Sequence, residues 1–180
     1  MAAGQRDGGI FHMQIAKILG KRDVRQLEQL LHRHYGCQVD LSRYRVFITR
    51  ENRLWIASRE VDIPFFRDMK RCYRIGIYFG KLKRNNKIKL TIEGALMVGK
   101  TATRNMAMID EEEVMEYMQG NDVHRYRLVD AELHNFVLVK CKNDTLGCGL
   151  LREGYIESLV SKARRLVKPA ASEPEEHEEK

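Results

Sequence analysis

The chain of 180 residues has room for one ordinary domain or two small ones, and its 43% hydrophobic and 32% charged residues call for a packed core under a heavily charged surface. Residues 169–180 carry five glutamates and one lysine, so their −4 leaves the other 168 residues at +11 against a chain total of +7. A body that basic attracts polyanions, and no apolar run approaches the roughly 18–20 residues that a membrane span needs.

The first 20 residues read as a flexible start interrupted by Gly4, Gly8, Gly9 and Gly20. The apolar patch within them is broken by His12, Gln14 and Lys17, and lacks a basic n-region and a cleavage site. A soluble cytoplasmic protein is expected, nucleolar if the source is eukaryotic. Asp23 and Gln26 form a capping-box pattern ahead of Val24, Leu27, Leu30, Leu31 and His34, and Gly36 stops that helix. Tyr44–Thr49 and Leu54–Ser58 flank a polar turn and read as a hairpin. Pro64 opens a short helix through Arg71.

Two further strands are expected at Arg74–Phe79 and Lys87–Ile92, with Gly80, Asn85 and Asn86 as turn residues between them. In the second, Lys87 and Lys89 face one way while Ile88 and Leu90 face the other. A short helix over Glu93–Val98 precedes a linker, Gly99–Arg104, and the domain boundary is expected there. A strand, Asn105–Ile109, leads to a helix capped by Asp110, loaded with Glu111, Glu112 and Glu113 in its first turn, and ended by Gly120. Strands follow at Val123–Val129, Asn135–Cys141 and Gly147–Leu151, then a strand and helix over Tyr155–Val167. The acidic tail, residues 169–180, has too little apolar content to fold and is expected to be disordered.

Chemistry is poorly represented. Cys37, Cys72, Cys141 and Cys148 form no Cys-x-x-Cys pair, so they read as reduced, buried small hydrophobes, and no metal site is expected. Gly94–Thr101 matches the phosphate-binding pattern of two glycines followed by Lys100 and Thr101. Its interior, Ala95, Leu96, Met97 and Val98, favours a buried helix over an exposed anion cradle, so the match reads as accidental and no cofactor is expected.

The run Tyr78–Ile92, with its Phe-Gly-Lys turn and basic strand, resembles the seventh nuclear-import-protein family of ribosome biogenesis factors. The hairpin at Asn52–Ser58, the step Met118–Val123, and Leu146–Leu151 resemble further motifs of that family, with Cys148 replacing an aromatic residue. The resemblance spans about residues 25–168. It implies an α+β fold, with an N-terminal α/β domain over 21–103 and a PUA domain, a small mixed β-barrel with flanking helices, over 104–168. It also implies RNA as ligand, large-subunit pre-rRNA processing as the process, assembly proteins as partners of the first domain, and no catalytic residues.

The RNA-gripping role falls on Lys162, Arg164, Arg165 and Lys168, where four cations crowd a short terminal element. Arg152, Lys140 and Lys142 widen that surface, and alanine at Arg164 and Arg165 is expected to leave the fold intact. Lys81, Lys83, Arg84, Lys87 and Lys89 form a second cluster, read either as an extension of the RNA track or as a partner surface. The expected ligand is an rRNA precursor or uridine-rich RNA. The rival reading is an RNA-modifying enzyme or accessory subunit, of methyltransferase or pseudouridine synthase type, carrying a PUA domain.

Overall fold

The computed structural model describes residues 13–67 and 74–167. The expectations for Cys72, Lys168, residues 1–12, the end of the short helix at Arg71 and the acidic tail lie outside the described residues.

The chain is a mixed α+β protein, and its described residues form two five-stranded sheets. The first is an antiparallel meander of β1 (Ile15–Ile18), β2 (Arg45–Thr49), β3 (Arg53–Ala57), β4 (Ile77–Leu82) and β5 (Ile88–Leu90), paired in that order. Helix α1 (Lys21–Tyr35) packs on one face of it, and the short α2 (Ile63–Arg67) contributes Ile63 to the cluster on the other. Helix α3 (Ile92–Gly99) then leads to β6 (Met106–Met108), α4 (Glu111–Gln119), β7 (Arg127–Val129), β8 (Phe136–Cys141), β9 (Asp144–Arg152) and β10 (Tyr155–Ser158). The second sheet runs β10-β9-β8-β6-β7, with β6 and β8 parallel.

Several local expectations are corrected. The start is not frayed from residue 15 onward: β1 pairs with β2, and Ile15 is buried with Phe47 and Trp55. Helix α1 begins at Lys21, capped by Gly20. Asp23 sits inside the helix and reaches back to accept the Gly20 N–H at 3.2 Å, held from the other side by Lys17 at 2.8 Å. Gly80 is not a turn residue but lies within β4, where a side chain would meet the Lys89 carbonyl at 2.7 Å. The turn is made by Asn85 and Asn86, both left-handed at φ 61° and 55°, a conformation asparagine tolerates through its short polar side chain. After β10 there is a 3-10 turn, Lys162–Arg164, in place of the expected terminal helix.

The hydrophobic patterning does translate into burial. Val24, Leu27, Leu31 and Tyr35 of α1 pack on Val46, Leu54, Ile56 and Phe79 of the first sheet. The same cluster takes in Ala95 and Val98 of α3 and Phe136, Leu138 and Cys148 of the second sheet, so one core serves both sheets. The last turn of α1 ties them together by hydrogen bonds as well. Tyr35 Oη donates to the Ile88 carbonyl at 3.1 Å, and the Tyr35 carbonyl accepts from the Thr103 and Arg104 N–H groups at 2.9 and 3.2 Å. Next to it, His34 Nε2 lies 3.1 Å from the Phe136 carbonyl, which requires that nitrogen to donate. A second core, under α4, contains Val137, Val139, Ile156 and Tyr117, whose hydroxyl donates to the Cys148 carbonyl at 2.9 Å.

Cys37, Cys141 and Cys148 are buried, as their spacing suggests. Burial pushes the Cys37 and Cys148 thiols up to about 11. Among the described residues, no helix is long and apolar enough to cross a membrane, and no three His, Cys, Asp or Glu side chains converge as metal ligands.

The phosphate-loop look-alike is explained by packing. Its first six residues lie in α3, with Gly94, Ala95, Val98 and Gly99 buried, and Lys100 caps the end of that helix. The Gly94 N–H is taken by Thr91 Oγ1 at 3.1 Å and the Ala95 N–H by the Thr91 carbonyl at 2.8 Å, as at any capped helix start. The glycines serve close approach: a Cβ at Gly94 would collide with the Phe79 carbonyl, and one at Gly99 with the Thr145 side chain.

Two outcomes are expected from this arrangement. Gly94→Ala, which by helix propensity alone would stabilise α3, lowers the unfolding free energy by about 1–3 kcal/mol in urea titrations, because the clash is with backbone. Stability also falls on acidification. Burial, aided by Lys87 and Arg104 and opposed by the Phe136 hydrogen bond and Glu132, holds His34 below the usual histidine range. The unfolded chain therefore takes up the proton first, and stability present above roughly pH 6.5 is lost as pH falls further. His34→Gln, whose amide can still donate to Phe136, flattens the melting-temperature slope between about pH 7.5 and 5.5.

Candidate nucleic-acid interface

The terminal cations are largely committed to the fold. Arg164 pairs with Glu93 at the start of α3. Arg152 grips Glu157 across the β9–β10 hairpin through Nε at 3.0 Å and a second guanidinium nitrogen at 2.8 Å. Lys142 pairs with Glu111, which raises the lysine and lowers the carboxylate from their ordinary ranges. The half-buried Lys140 donates to the Gly99 carbonyl at 3.1 Å.

Arg165 lies against Gly120, the left-handed cap of α4 at φ 85°, and its Nε donates to the Val160 carbonyl at 3.3 Å. The following N–H, of Leu166, donates to the Met118 carbonyl at 3.0 Å. This corrects the expectation that both arginines stand free of the fold: the guanidinium of Arg165 helps lock the terminal segment onto α4. Lys162 is exposed and has no ion-pair partner among the described residues.

The second cluster differs in its carboxylate partners. Among the described residues, none of Lys81, Lys83, Arg84, Lys87 and Lys89 has a carboxylate within ion-pair distance. Lys83 and Arg84 are exposed on the loop between β4 and β5, which the Lys83 N–H closes by donating to the Lys87 carbonyl at 2.8 Å. Lys87 and Lys89 are half-buried on the outer face while Ile88 and Leu90 enter the core, as the alternation requires. Lys87 Nζ reaches across to the His134 carbonyl at 2.9 Å and so tethers this hairpin to the second sheet.

The sequence contains a signal for this difference. Residues 69–92 include no aspartate or glutamate and eight lysines and arginines, whereas the partners Glu93, Glu111 and Glu157 are placed around the other cluster. An acid-free basic run cannot neutralise itself locally, so its potential stays directed at solvent. Aromatic side chains near this cluster are occupied in packing: Tyr35 and Trp55 are buried in cores, and Tyr78 stacks on Trp55 at 5.1 Å between ring centroids.

No protein-family model matches the chain, and no curated protein matches it either.

The two arginines of the terminal segment are expected to behave differently. Arg165→Ala loses a hydrogen bond and the cover over Gly120, and lowers stability by about 1 kcal/mol. Arg164→Ala breaks an exposed pair and changes it by less than about 0.5 kcal/mol. Chemical denaturation of the two single variants checks the order; equal effects contradict the locking role of Arg165.

Proposed function

We propose that the protein is a non-catalytic RNA-binding protein. The observation that carries this reading is the basic run on β4, β5 and their connecting loop, which has no carboxylate partner among the described residues, in a body of net charge +11. Cations already spent on internal carboxylates add little to the field that an RNA meets, while unpaired ones release condensed counterions when they replace them on phosphate. The terminal cations remain able to contribute, because exposed ion pairs cost only about 0–1 kcal/mol to open. The family resemblance supports the finer reading: residues 104–168 as a PUA domain, an rRNA precursor or uridine-rich RNA as ligand, large-subunit assembly as the process, and assembly proteins as partners of the first unit.

The mechanism is electrostatic capture followed by recognition of unpaired nucleotides, without bond chemistry. Lysines on the strands supply mobile point charges and Arg84 a planar fork for a phosphate.

Affinity for a labelled RNA, followed by fluorescence anisotropy, is expected to fall steeply with salt, with a log–log slope near −0.7 per phosphate contact on a single strand. For about four to six contacts this is a slope of roughly −3 to −4. Binding that stays flat from low to physiological salt contradicts the reading.

A further inference from the structure

The exposed side of α1 and the loop between β4 and β5 face each other across a cleft of about 840 Å³. Gln26, Gln29, Leu30 and Arg33 line it from the helix, at the spacing that puts residues three and four apart on one face. Lys81, Lys83, Arg84 and Asn86 line it from the hairpin, and Asn52 closes one end from the β2–β3 turn. Leu30, Ile48 and Leu82, all half-buried, contribute apolar lining.

The lining is distinctive in what its polar groups are not doing. Among the described residues, no hydrogen bond or ion pair engages the side chains of Arg33, Lys81, Lys83 or Arg84. The amides of Gln26, Gln29, Asn52 and Asn86 are likewise without a protein partner there. The single acid in the lining, Asp23, is already held by Lys17 and the Gly20 N–H. Leu30, Arg33 and Asn86 also line a second, smaller hollow of about 250 Å³, together with Asn105, Glu132 and Asn135 beside the second sheet.

We propose that this cleft binds a single-stranded RNA segment, with its phosphates on Arg33, Lys81, Lys83 and Arg84 and its bases toward the leucine-lined side. This rests on the RNA-binding reading and adds to it a place, together with the reason that this place takes a single strand. A duplex turns its bases inward and offers the protein a phosphate surface, which would leave apolar lining unfilled. A single strand presents phosphate and base together, and each amide offers both a donor and an acceptor to a base edge. The cleft falls within the ~300–1,000 Å³ range of sites that enclose small ligands, which suits a short stretch of nucleotides and not a helix. With no aromatic residue in the lining, sequence preference comes from the amides and stays modest.

The test uses the full chain and a labelled oligouridylate of about twelve nucleotides, the same strand as a duplex with oligoadenylate, the corresponding DNA strand, and a polyglutamate competitor. Lys83→Glu/Arg84→Glu and Arg33→Glu are expected to weaken single-strand RNA binding at least about tenfold, with unchanged circular-dichroism melts, since all three residues are exposed. Gln26→Ala/Gln29→Ala is expected to lower single-strand affinity severalfold and leave duplex binding unchanged. Lys162→Glu, outside the cleft, is expected to change single-strand affinity less than either charge reversal.

If the unaltered chain binds none of the nucleic acids, the RNA-binding reading itself falls. If it binds RNA but both charge reversals bind within about twofold of it, that reading stands and the cleft is the wrong place. Duplex binding as tight as single-strand binding overturns the strandedness, and equal affinity for the DNA strand overturns the restriction to RNA. Competition by polyglutamate as effective as that of unlabelled RNA overturns the ligand class.

Discussion

The architecture depends on the last turn of α1. Tyr35 is fully buried there, its hydroxyl fixed to β5 and its carbonyl holding the two N–H groups that lead the chain toward the second sheet. His34 adds a hydrogen bond to β8, and Asn105 returns one from its side-chain amide to the His34 carbonyl at 2.5 Å. A helix end normally leaves its final carbonyls without intrahelical partners. Here those unmet acceptors join the sheets, and Gly36, left-handed at φ 63°, makes the exit possible because a side chain at that position would strike Thr103.

Fixing one end of the helix also fixes what its outer face looks at. Glu28 accepts the Leu41 N–H at 2.8 Å, and the Val24 and Leu27 side chains lie in the shared core, so α1 has little freedom to roll. Its polar stripe is therefore held opposite the hairpin loop, whose own path is set by two left-handed asparagines. A recognition surface built from flexible lysines and arginines gains when the backbone beneath them is already ordered, since only side-chain freedom remains to be lost on binding.

Much of this is legible in the residues. The amphipathic run of α1, the glycine stops at Gly36 and Gly120, the β2–β3 hairpin and the alternation through β5 all act over a few neighbours, and their burial follows the pattern. Boundaries set by distant partners are less legible. The strand at Ile15–Ile18 exists because β2 pairs with it, and Gly80 is a strand residue because β5 approaches closely. The candidate site shows the same divide. A count of nearby cations favours the terminal segment, but whether a cation is free depends on carboxylates brought in by the fold. Glu93 is 71 residues from Arg164 in sequence and touches it in space. Absence of acid, by contrast, is a local property, and residues 69–92 carry it openly.

The buried thiols turn the shared core into something that can be timed. Burial holds the Cys37 and Cys148 thiols well above the usual thiol range, so the reactive thiolate is scarce near neutral pH, and both side chains are buried in the closed molecule. Alkylation at these positions must then wait for an opening, and its rate under native conditions counts such events. Cys148 lies between Tyr35 and Tyr117, where the cores of the two sheets adjoin, so a reagent arriving at that sulfur registers their separation and not the fraying of a loop.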